Sequence, residues 1–83
     1  MNTVLLKKEK LECMAFEDKL NCLDIYRVRE VEKEIRKFME LPVNRSLRIE
    51  IKNIMEAVDK MTNEQFDLID TVVENLLTYD DLV

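Results

Sequence analysis

Glycine, histidine and tryptophan are absent from the chain, and proline occurs once, at Pro42. Each gap removes a class of structure or chemistry. Two-residue hairpin turns draw on Gly or on pairs such as Asn-Gly, and no such pair occurs, so β-structure is expected to be minor. A loop that wraps a phosphate needs a residue without Cβ where the backbone closes on the anion. Neither a P-loop nor a dinucleotide-binding fingerprint can therefore be written in this sequence. Without histidine there is no imidazole base, and Ser-His or Cys-His nucleophile systems cannot form within the chain. Ser46 is the sole serine and reads as a helix cap. Carboxylates are plentiful, yet no pair stands out by having apolar neighbours that would lift a pKa into the general-acid range. The Glu-x-x-His spacing of bundle metal clusters is missing too. The expectation is a protein without catalytic residues, metal or cofactor.

The two cysteines, Cys13 and Cys22, are nine positions apart and form no CxxC. One subunit cannot supply four Cys or His zinc ligands; a four-thiolate site shared across a dimer is the remote alternative. The plain reading is a pair of reduced, partly buried thiols in a cytoplasmic protein, with a single disulfide as the other option. No run approaches the ~20 apolar residues of a membrane span. The opening residues carry no long apolar stretch of signal type either. No membrane association is expected.

What the chain does contain is 47% hydrophobic and 37% charged residues over 83 positions. That mixture suits amphipathic helices rather than a disordered tail. A chain of this size buries only about 60–65% of its unfolded surface, so a lone subunit is marginally stable and a homodimer is expected.

Three helices follow from periodicity. The first is placed from near Cys22, with Asn21 as N-cap, Asp24 at N3, and Leu20 and Ile25 at the spacing of a hydrophobic staple. Val28, Val31, Ile35 and Phe38 form its seam, Glu32 and Arg36 make an i,i+4 pair, and Pro42 ends it. The second starts at Asn44 or Ser46 and carries Leu47, Ile51, Ile54, Val58 and Met61, with Met55 widening the stripe. The third has the clearest start: Thr62 and Gln65 fit a capping box, and Met61 and Phe66 repeat the staple spacing. Its seam is Phe66, Ile69, Val73 and Leu76, widened by Val72 and Leu77, and it frays at Thr78 into a short acidic tail. Residues 1–20 fit two patterns. A helix with Leu11, Met14 and Ala15 on one face is preferred, and a short strand or a hairpin over Leu11–Ile25 is the alternative. Short connections and the lack of linker or repeat predict one domain over residues 1–83. The expected fold is all-α, a small bundle of three to four short amphipathic helices.

Charge is unevenly placed. Net charge is −1 over residues 1–26, +3 over 27–52 and −7 over 53–83. Glu64, Asp67, Asp70 and Glu74 follow helical spacing, and Asp67–Asp70 and Asp70–Glu74 are neighbours on one face with no nearby cation, which points to an acidic stripe docking on a basic protein partner. A solvated face that aids solubility is the plain alternative. Arg29, Lys33, Arg36, Lys37, Arg45, Arg48 and Lys52 make a basic segment, the natural place for a nucleic-acid contact. Glu30, Glu32, Glu34 and Glu40 alternate with those cations, so a salt-bridged solvent face is the plainer reading. A basic helix of one subunit facing an acidic helix of another would join both halves.

Residues from about Ser46 to Leu77, especially 61–66, resemble the helical tails that follow helix-turn-helix domains in some phage-type repressors. The likeness spans around thirty residues, and the chain has neither the helix-turn-helix glycine nor a compact basic recognition stretch. The expected function is a non-catalytic protein–protein interaction module, a small regulator or inhibitor of the phage or mobile-element type. A DNA-binding regulator using residues 27–52, or an assembly subunit, is the alternative.

Overall fold

The structure, a computed structural model, describes residues 6–43 and 46–78. It is all-α, as the periodicity predicts. The described residues form α1 (Lys8–Glu12), α2 (Phe16–Asn21), α3 (Ile25–Ile35), α4 (Leu47–Val58) and α5 (Asn63–Leu77). The described part of the ambiguous N-terminal stretch thus forms two short helices and not a hairpin, with residues 1–5 outside the described residues, while an isolated parallel bridge joins Leu6 to Thr78. Leu6 N–H donates to the Leu77 carbonyl at 2.7 Å and so satisfies one of the carbonyls left open at the end of α5. The expected acidic tail beyond Thr78 and the cap candidate Asn44 lie outside the described residues.

The start of α3 differs from the sequence reading. Asn21 is the last residue of α2, and Asp24 is the N-cap, its carboxylate accepting from Arg27 N–H at 2.9 Å. Moving the cap by three residues moves the staple with it, from Leu20 and Ile25 to Leu23 and Val28, both fully buried. The end differs as well: α3 stops at Ile35 rather than at Pro42. Lys37 and Phe38 bond to carbonyls three residues back, a tightened turn that delivers Leu41 to the core. Phe38, expected in the seam, is left 39% exposed by that turn.

Both α2 and α3 pack against α4 and α5. The shared core takes Leu11, Leu20 and Leu23 from the N-terminal part, Val28, Val31 and Ile35 from α3, Ile51, Ile54 and Val58 from α4, and Ile69, Val73 and Leu77 from α5. Leu47, Phe66 and Leu76 are partly buried against it. The deepest residues of α5 step by four, so Leu77 and not Leu76 closes the stripe. Phe16 and Phe66 meet edge to face with centroids 5.1 Å apart, tying α2 to the first turn of α5.

The capping box forms as read: Gln65 N–H donates to Thr62 Oγ1 at 3.2 Å, and Thr62 N–H donates to Gln65 Oε1 at 3.1 Å. Thr62→Ala removes the acceptor for one of the open N–H groups, and a loss of about 1 kcal/mol is expected in urea unfolding. An unchanged midpoint would show that packing of Met61 and Phe66 alone sets the start of α5.

Candidate functional site

The charged side chains sort into those consumed within the fold and those left over. Lys19, near the end of α2, is only 4% exposed. Its Nζ donates to Asp70 Oδ1 at 3.0 Å and to Glu74 Oε2 at 2.6 Å. Burial acts to lower the pKa of this ammonium, but the bonds to Glu74 and Asp70 and their charges outweigh it and hold the group above the usual lysine range. The expected acidic stripe is therefore divided. Asp70 and Glu74 have a cation after all, brought from a distant part of the chain, while Glu64 and Asp67 remain exposed.

The α3 part of the basic segment is likewise taken up within the fold, whereas Arg48 and Lys52 of α4 stand in no ion pair among the described residues. Along α3, Arg27 pairs with Asp24 at 2.6 Å, Arg29 with Glu50 at 3.2 Å, Lys33 with Glu30 at 3.4 Å and Arg36 with Glu32 at 3.9 Å. Lys37, in the turn that follows, pairs with Glu34 at 2.9 Å. Arg45 lies outside the described residues. Such neutralised cations make a poor phosphate-binding surface, which needs a net positive field.

A second buried acidic cluster lies between α3 and α4. Glu50 is 1% exposed and Glu32 is 8% exposed. Arg29 touches Glu50 at an angle that makes no hydrogen bond, and neither oxygen of Glu50, nor Oε1 of Glu32, accepts one among the described residues. Burial, reinforced by the Glu50 charge and opposed by Arg29 and Arg36, raises the Glu32 carboxyl above the ordinary glutamate range. This is the carboxylate pair that the sequence reading did not find. Its two members lie on separate helices, 18 residues apart in sequence, so no local spacing announces them. A small cavity of about 240 Å³ opens beside Glu32, edged by Arg29, Lys33 and Arg36. All three of these cations are already engaged by acids, so the cavity offers an incoming anion little charge.

The larger concavity is different. A groove of about 690 Å³ runs between α2 and α4. Its floor is Leu47, Ile51 and Met55, the outer part of the α4 seam. One rim is Arg48, Lys52, Glu56 and Asp59, and the facing rim is Glu17 and Asn21 of α2. Among the described residues, Arg48, Lys52, Glu56, Asp59 and Glu17 stand in no ion pair. An apolar floor with unneutralised charge on its edges is the surface character of a contact site. The sequence reading had Leu47 and Ile51 as seam and Arg48 and Lys52 as basic patch, but it did not single out Glu56 and Asp59. Their spacing from Arg48 and Lys52 on one helix face is the signal that finds them.

Cys13 and Cys22 are both free thiols, the first exposed and the second half-buried. No helix among the described residues is long and apolar enough to cross a membrane. No family model matches the chain, and comparison with curated proteins and with solved structures found no match.

Proposed function

We propose that the protein is a non-catalytic protein–protein interaction module, a small cytoplasmic regulator that works by docking. Its contact surface is the α2–α4 groove rather than the whole of the acidic stripe. One contrast carries this reading: the charges along α3 are matched within the fold, whereas those around the groove are left over beside three apolar side chains. The groove's apolar floor runs along α4, and a partner helix with apolar side chains at i, i+3 and i+4 would replace water over Leu47 and Met55. Two free cysteines fit a reducing compartment. Nucleic-acid binding is the weaker reading, because most of the basic segment is already neutralised.

The test is retention of proteins from an extract of the source cells on the immobilised chain, with two variants compared. Met55→Glu places a charge on the groove floor and is expected to lower retention at least about tenfold, the effect of losing ~1.4 kcal/mol. Leu68→Glu changes an exposed apolar residue of α5 outside the groove lining and is expected to leave retention unchanged. Far-UV circular dichroism checks that both variants stay helical. Retention lost on Leu68→Glu but kept on Met55→Glu moves the contact surface off the groove.

A further inference from the structure

The four rim charges of α4 and its C-cap run in a set order: two cations, Arg48 and Lys52, then two anions, Glu56 and, at the C-cap, Asp59. All four are exposed. Steps of four, four and three residues keep them on one face of the helix, and they span about 16 Å along its axis. Such a row is complementary to itself when reversed. Laid antiparallel against an identical row, Arg48 meets Asp59 of the second copy and Lys52 meets Glu56, and the two-fold axis repeats both contacts. The same superposition sets Ile51 beside Met55 of the second copy on the groove floor. A parallel alignment sets Arg48 on Arg48 and Glu56 on Glu56, and like charges reject it.

We infer that the occupant of the α2–α4 groove is a second copy of this chain, with α4 packed antiparallel on its mate about a two-fold axis. The inference rests on the reading of the groove as a docking surface and names the partner. A two-fold interface uses the same patch on both subunits, so a single helix carrying both signs is sufficient. Its parts divide the work: the half-buried Leu47 and Met55 supply the apolar contact over the buried Ile51, and the rim charges fix direction and discourage other alignments. The antiparallel arrangement also sets opposite ends of the two helix dipoles side by side.

Sedimentation equilibrium tests it with three exposed-rim variants. R48E/K52E makes the row wholly acidic and E56R/D59R makes it wholly basic, and each is expected to weaken self-association about tenfold or more. Mixed one to one, the two are expected to form a heterodimer. The fourfold exchange R48E/K52E/E56R/D59R restores the complementary order and is expected to dimerise like the wild type. Wild-type protein that stays monomeric throughout the concentration range overturns the inference, as does a wild-type dimer that none of the rim variants weakens. Failure of both the mixture and the fourfold exchange overturns the antiparallel register. If the wild type is monomeric while Met55→Glu still loses its captured proteins, the second copy falls and the docking groove stands.

Discussion

Lys19→Met is expected to lower the melting temperature by about 10–20 °C. Breaking a buried ion pair by deleting one partner typically costs about 3–5 kcal/mol. Here the abandoned carboxylates keep 28% and 26% of their side-chain surface, so water takes part of the load. The expected loss is about 2–3 kcal/mol, which for a domain of this size corresponds to the stated temperature shift. Asp70 and Glu74 are one turn apart on α5, and without the ammonium they become a repelling i,i+4 pair. Adding Asp70→Asn and Glu74→Gln to Lys19→Met is therefore expected to regain much of the loss. A triple variant no more stable than the single one would show that the Lys19 stem, not its charge, holds α2 to α5. The pH sign also follows. The folded-state pKa of Lys19 lies above its unfolded value, so its contribution is complete below the unfolded pKa and disappears as pH rises through the folded one.

Glu50→Met is expected to act in the opposite direction, raising stability by about 1–3 kcal/mol. Glu50 gives up nearly all its hydration and gains no hydrogen bond among the described residues, while Arg29 is 49% exposed and returns to water when the acid is gone. A buried ion pair replaced by an apolar side chain of similar volume is often neutral or stabilising. The substitution also removes one of the influences that raise the Glu32 carboxyl. Glu32 has a folded-state pKa above its unfolded one, so its protonation favours the folded chain. Its contribution is fully present below the ordinary glutamate value and is lost as pH rises through the raised one. Urea midpoints followed against pH are expected to show this component, with Glu32→Gln removing it and Glu50→Met moving its midpoint to lower pH. A destabilised Glu50→Met would mean that the Arg29 contact outweighs the cost of desolvation.

Legibility in the sequence follows the reach of each interaction. The three longer helices are written in steps of three and four, and the α5 capping box is written in Thr62 and Gln65. The start of α3 is ambiguous by three residues because Asn21 and Asp24 are both good caps and each brings a staple, Leu20 with Ile25 or Leu23 with Val28. Among the N-terminal residues, α1 and α2 have 5 and 6 residues, too few for a period to show itself. Of the groove, the floor is visible as seam and half of the rim on the α4 side as basic patch. Lys19, Glu32 and Glu50 are another matter. Their burial is imposed by helices distant in sequence, and a charged residue gives no local sign that it will be enclosed.

The bridge from Leu6 to Thr78 and the bonds from Lys19 to Asp70 and Glu74, the latter pair 51 and 55 residues away, have a consequence for the newborn chain. While the ribosome is still adding residues 63–77, the N-terminal helices have emerged without the carboxylates that will hold Lys19. Completion of the bundle must wait for α5. A pause in translation before that helix is expected to leave a protease-sensitive precursor, with Leu20 and Leu23 open to chaperones.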